Sequence, residues 1–279
     1  MVPPAVMDLL QFKAQAGRDI DEVLRDVGDE KRGRNSVFYH LRDSESLPEE
    51  EKTRERLQDE ATLMVMAGTE SLAKSLQYGT FYLHYYPETL GRLRTELAAA
   101  RGKTSDGRLS LSELLRLPYL NAVILETNRL TFGVTNRMIR YSPTETLTYT
   151  ASYGPNKGQT YVLPPGTKMS CLTWCTHMNE ELFPDPLTFD PERWVGQSDE
   201  VNRRKRSMMA LGKGQRKCVG MNVANAGMCL VLEEVVGYEM ELFETGYEDV
   251  AFLHDYQIAH PRLDTQGIRV TVSGKHDLL

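Results

Sequence analysis

The sequence contains no stretch approaching the ~20 uninterrupted apolar residues needed to cross a bilayer, so no membrane span is expected within it. Cysteine is scarce: Cys171, Cys175, Cys218 and Cys229 are the only ones in 279 residues. They are too few and too unevenly spread for a disulfide framework, which points to a reducing compartment. Cys171 and Cys175 are spaced like some metal-binding pairs, but no second pair accompanies them, so they read as structural. Positive charge is not in excess. A formal net charge of −6 gives no reason to expect a nucleic-acid partner. Met1 to Ile20 lacks the charged and apolar zones of a signal peptide, so the expected location of the chain as written is cytoplasmic. Internal repeats and low-complexity tracts are missing as well.

What is present is ordinary globular composition, 41% hydrophobic and 26% charged, in a length that suits one large domain or two small ones. Asp21 to Glu60 is highly charged, and Pro48-Glu49-Glu50-Glu51 reads as a loop entering a helix. A long helical pattern runs from Thr53 to about Tyr86, with Leu57, Ala61, Met64, Val65, Leu72 and Leu76 along its apolar stripe. Gly68 lies mid-helix, where glycine costs ~1 kcal/mol relative to alanine. Pro87 suits the first turn of a helix reaching about Ala100, and Pro118 opens another through Arg129; a short helix is expected at Leu111 to Leu117. Val134 to Tyr161 alternates as strands do, Pro164-Pro165-Gly166-Thr167 is a tight turn, and Phe183 to Trp194 is proline-punctuated irregular chain. An apolar helix is expected from Val219 to about Tyr238, then strands and loops to Ser273. The fold class is α+β, mainly α with small β-sheets.

Three segments carry chemistry. The first is the glycine-rich loop Leu211 to Gly220, in which Cys218 stands at the mouth of a helix. Helix N-termini stabilise anions, and Arg216 and Lys217 add positive charge; both favour the metal-binding thiolate. Gly214 and Gly220 allow close approach of a flat partner. On its own the loop reads more readily as holding a buried structural cysteine than a ligand. A phosphate loop fits poorly, because no Gly-Lys-Ser/Thr opens a helix. The second is Glu126-Thr127-Asn128-Arg129, an acid and a base three apart on one helix face, which by spacing alone is a surface ion pair of little worth. The third is Ala67-Gly68-Thr69-Glu70-Ser71, which alone reads as an exposed acid and a serine bonding back to its helix.

Taken together, these segments resemble the cytochrome P-450 family of haem-thiolate monooxygenases. The family's cysteine loop reads Phe-x-x-Gly-x-Arg-x-Cys-x-Gly with an alanine four residues on. Gly214, Arg216, Cys218, Gly220 and Ala224 match it, and Leu211 stands where the phenylalanine packs beside the sulfur. The resemblance implies haem b with Cys218 as axial thiolate. Leucine keeps the apolar shield and is expected to alter the iron's potential. It also implies that Glu126, Arg129 and Arg193, from Pro191-Glu192-Arg193-Trp194, form a buried structural triad. Ala67 and Gly68 correspond to the small pair beside bound oxygen. Glu70 and Ser71 correspond to the acid and alcohol that relay protons, with serine replacing the usual threonine.

Gly133-Val134-Thr135-Asn136-Arg137 resembles a segment of fungal members whose arginine reaches a haem propionate, so Arg137 and Arg216 are the propionate candidates. His177 also matches a family position and is equally readable as a satisfied loop histidine. The basic run Arg203 to Arg206 corresponds to the side where the family docks its reductase, and reads otherwise as a solvated loop.

The resemblance covers about Asp19 to Ser273 and corresponds to the C-terminal half of the family, so the chain is expected to be a single, N-terminally truncated haem domain over 1–279. Full-length relatives are anchored at the cytosolic face of the endoplasmic reticulum. The implied activity inserts one atom of O2 into a small organic substrate, in fungal secondary metabolism, with electrons from an NADPH-dependent reductase. A haem-binding remnant without turnover, and a non-enzymatic protein acting through a partner, are the other two readings.

Overall fold

The computed structural model describes residues 4–26, 36–152 and 154–276. Helices dominate and the β structure is confined to two-stranded pairs, which is the α+β class expected from the sequence. Two compact units are present, Met1–Ser71 and Leu72–Leu279.

The first unit holds α1 (Pro4–Arg25), α2 (Val37–Arg42) and the first half of the long helix α3 (Arg54–Tyr85). Ala16 and Ile20 of α1 bury against Leu57 and Ala61 of α3, with Leu24, Phe38 and Leu41 packed around them. Arg54 grips Asp21 with two hydrogen bonds, of 2.6 and 3.0 Å. Ser36 caps α2 by accepting from the Phe38 amide. α1 was not anticipated from the sequence. Along α3, Leu57 and Ala61 are buried but Met64 and Val65 are exposed. The apolar stripe read from the sequence is therefore only partly covered.

The second unit is built around α3 from Leu72 onward, α4 (Pro87–Arg101), α5 (Leu111–Leu114), α6 (Pro118–Thr131) and, later in the chain, α9 (Met221–Val235). Phe81 and Tyr82 of α3, Leu93 and Leu97 of α4, Leu120 and Val123 of α6 and Leu232 of α9 close one apolar core. Pro87 and Pro118 each occupy the first turn of their helix, where the missing N–H costs nothing. A capping box between Ser110 and Glu113 starts α5. At the end of α6 the chain turns through two left-handed residues, Phe132 and Gly133.

Among the described residues of Val134 to Tyr161, strand structure comprises β1 (Leu147–Thr150), the start of its antiparallel partner β2 (Thr160–Leu163), and isolated bridges at Val134 and Arg140. β3 (Tyr238–Leu242) pairs with β6 (Val270–Lys275), and β4 (His254–Asp255) with β5 (Ala259–His260). Between β2 and α9 lie the short helix α7 (Thr173–His177), a tight turn at Pro191–Trp194, and α8 (Asp199–Ser207). α8 corrects the loop read at Arg203 to Arg206. Ser198 caps it, and Arg204 reaches back to the Leu182 and Arg193 carbonyls at 2.9 and 3.2 Å. Among the described residues, no helix is long and apolar enough to cross a membrane.

Candidate functional site

Glu126, Arg129 and Arg193 meet in the interior. One helical turn separates Glu126 from Arg129 on α6, and the arginine lies against the carboxylate in bidentate fashion, with both hydrogen bonds at 2.8 Å. The Pro191–Trp194 turn adds Arg193 Nε at 3.0 Å, the Asp190 amide at 3.0 Å and the Trp194 indole N–H at 2.8 Å. Five donors thus converge on one carboxylate. The second positive charge is met by carbonyl dipoles: Arg129 donates to His177, Pro186 and Thr188, and Arg193 to Pro184 and Asp190. A buried ion cluster is tolerable only when its remaining protons and lone pairs are satisfied in this way. The indole and the Asp190 amide were not anticipated. Their signal was a tryptophan directly after Arg193, since a buried indole N–H needs an acceptor.

The cysteine loop is closed by the Cys218 amide donating to the Leu211 carbonyl at 2.9 Å, and within it the Lys217 amide donates to Gly214 at 3.2 Å. Gly212 and Gly214 take left-handed φ of 69° and 75°, a conformation that favours glycine. Cys218 is exposed, just before the N-terminus of α9. Val219 and Val223, which follow it in the chain, are 96% and 74% exposed. Leu211 is partly buried, and a Cβ at Gly220 would lie 3.9 Å from the Cys218 sulfur. A single exposed soft donor with glycines on either side and valines after it fits a haem-thiolate centre.

Gly133 ties this loop to the end of α6, because a Cβ there would fall 2.1 Å from the Ala210 carbonyl oxygen. A cleft of about 430 Å³ lies between the segment after α6 and the loop, lined by Asn136, Met138, Met169, Met209 and Gly214 among others. Arg137 and Arg216 are both exposed. His177 is buried between the rings of Phe132 and Phe183.

In α3, Ala67, Gly68, Glu70 and Ser71 are all exposed. The Ser71 hydroxyl donates to the Ala67 carbonyl at 2.7 Å, and among the described residues no atom would crowd a Cβ at Gly68.

A family model described as cytochrome P450 matches residues 7–246. The chain belongs to the cytochrome P450 family, whose members are haem oxidoreductases. It is 33% identical over 264 residues to cytochrome P450 monooxygenase TRI4 of Fusarium sporotrichioides, an alignment covering 94% of this chain and 48% of that protein. Against cytochrome P450 monooxygenase oblB of Emericella variicolor it is 32% identical over 272 residues, covering 93% and 48%. Against cytochrome P450 monooxygenase claJ of Penicillium crustosum it is 32% identical over 274 residues, covering 97% and 60%. The chain spans about half the length of the curated relatives it matches.

Proposed function

We propose that this chain carries the haem-thiolate part of a fungal secondary-metabolite monooxygenase, with Cys218 as the axial ligand and residues 1–279 belonging to one haem domain. The observation that carries the reading is the exposed Cys218 thiol, on a loop closed by its own amide and set at the N-terminus of α9. When bound, haem supplies the activation of O2, from which one atom enters a C–H bond of a small organic substrate.

The chain's own residues hold and shield that centre. Cys218, just before the N-terminus of α9, would supply the thiolate ligand. Leu211 covers the sulfur with apolar surface, and Gly214 and Gly220 admit a flat partner. Arg137 and Arg216, both exposed, would pair with the haem propionates. By the resemblance alone, Ala67 and Gly68 would leave room for O2, and Glu70 and Ser71 would relay protons. For Ser71 this requires the hydroxyl to leave the Ala67 carbonyl. Glu126, Arg129 and Arg193 act through the fold, not on the substrate. Electrons come from a separate NADPH-dependent reductase.

The test is spectroscopic. Purified chain supplied with haem, reduced and exposed to carbon monoxide, is expected to show the thiolate-type Soret band, and Cys218→Ala to abolish it. Failure to take up haem would overturn the reading. Haem uptake without product in the presence of reductase and NADPH would restrict it to ligand binding.

A further inference from the structure

We infer that His177 is a positioning residue for the cysteine loop: a single-tautomer bridge that fixes Met209, where the chain enters the loop, to the last turn of α6. The consequence for haem ligation rests on the function proposed above; the bridge itself does not.

His177 ends α7 and has no solvent exposure. Its Nδ1 lies 2.8 Å from the Arg129 carbonyl oxygen, and its Nε2 lies 2.9 Å from the Met209 amide nitrogen. A carbonyl can only accept and an amide N–H can only donate, so the ring is the Nδ1–H tautomer with Nε2 as acceptor. The Arg129 carbonyl is one of those a helix leaves without an internal partner at its C-terminus, and the imidazole satisfies it. Arg129 also holds the histidine from its other end, donating through Nη1 to the His177 carbonyl at 3.1 Å. The residue that anchors Glu126 therefore grips His177 twice.

From Met209 the constraint passes into the loop in two steps. The Met209 carbonyl accepts from the Gly212 amide at 2.8 Å, and the Leu211 carbonyl accepts from the Cys218 amide at 2.9 Å. Met209 is thus pinned on both its polar groups, one by the histidine and one by the loop. Protonating Nε2 would turn the acceptor into a donor facing another donor. Burial opposes that, pushing the imidazole down to about 4. Arg129 adds to the effect, while Glu126 and the hydrogen bond to the Arg129 carbonyl oppose it.

Two variants separate the halves of the bridge. His177→Asn keeps an amide near the Nδ1 position and loses the acceptor for Met209. His177→Gln reaches the Nε2 position and keeps an acceptor there. In haem-free protein, hydrogen exchange at the Met209, Gly212 and Cys218 amides is expected to accelerate about tenfold in His177→Asn, the effect of losing one buried hydrogen bond. Alkylation of Cys218 should accelerate with it, and His177→Gln should stay near the unaltered protein. After haem loading, the thiolate-type ferrous–carbon monoxide band should shrink in His177→Asn and persist in His177→Gln.

Equal losses in both variants, or a fall in stability without faster exchange at Met209, would show a purely packing role and overturn the inference. If His177→Asn does not fold, nitrogen NMR of the unaltered protein decides, since an Nε2–H tautomer for His177 overturns the bridge and an Nδ1–H tautomer upholds it. Failure of the unaltered chain to bind haem would defeat the functional reading alone. The exchange and alkylation comparisons need no haem.

Discussion

The indole N–H of Trp194 donates to Glu126 Oε2 at 2.8 Å, the same oxygen that accepts from Arg129 Nε at 2.8 Å. The carboxylate is thereby held by two elements 68 residues apart in the chain. Glu126→Gln removes the carboxylate shared by two buried guanidiniums and leaves Arg193 only the longer 3.8 Å contact to Asp190; stranded charges of this kind cost about 3–5 kcal/mol. Trp194→Phe leaves the ion cluster in place and removes one hydrogen bond, at about 1–3 kcal/mol. Chemical denaturation of both variants checks the order. A Glu126→Gln protein that is no less stable than Trp194→Phe would show that the ion cluster does not organise this region.

Thr127, beside Glu126 on α6, is fully buried, and its hydroxyl has no hydrogen-bond partner among the described residues. Valine has the same branching and nearly the same shape without the polar group. Leaving a buried hydroxyl unpaired costs about 1–3 kcal/mol, so Thr127→Val is expected to stabilise the protein by about 1 kcal/mol. The rise should appear as a higher melting temperature. A fall would mean that the hydroxyl is satisfied in solution.

Much of this was legible in residues whose chemistry is local. Pro87 and Pro118 mark helix starts because they lack an N–H, and the three-residue step from Glu126 to Arg129 puts both on one helix face. Burial of that pair was not legible from spacing, since a surface pair has the same spacing. It depends on the distant Pro191–Trp194 turn folding over it. α8 was hidden for a similar reason: Arg203 to Arg206 reads as a solvated run until Arg204 is seen bonding to the Leu182 carbonyl. Periodicity also cannot say how far a stripe is covered, and Met64 and Val65 share a helix with Leu57 and Ala61 yet lie exposed. The double grip of Arg129 on His177 crosses 48 residues of chain and leaves no mark in either local pattern.

Gly133 is the sharpest steric constraint near the cysteine loop. Its φ is +62°, and a Cβ would stand 2.1 Å from the Ala210 carbonyl oxygen, which is backbone and cannot rotate away. Gly133→Ala combines left-handed strain with overpacking and is expected to cost about 3 kcal/mol. Because the clash falls one residue before Leu211, Cys218 should also alkylate faster. Gly79→Ala, whose nearest contacts are at 3.4 Å, is the milder comparison. Equal stability of the two variants would show that the Gly133–Ala210 contact is not maintained.

The pH dependence of stability follows from His177. Burial pushes its folded-state pKa from 6.5 to about 4. Above the unfolded value both states are neutral there, and the histidine adds no slope. As pH falls from 6.5 towards 4, the unfolded chain binds a proton that the folded chain refuses, so stability is lost through this window, and below it the loss levels off. The shift corresponds to about 3 kcal/mol at most. His84 is also held down by burial, and its Nε2 has no partner among the described residues, so it contributes in the same direction. Burial pushes the Asp249 carboxyl up, but the Thr265, Gly246 and Arg262 groups around it outweigh that and hold it below its ordinary value, so it adds to the loss of stability at the acid end of the window. Denaturation midpoints measured from about pH 7 to about pH 4 should therefore fall steadily, and His177→Gln, which cannot titrate, should flatten the fall. An unchanged slope in that variant would assign the acid sensitivity to His84 or to the carboxylates instead.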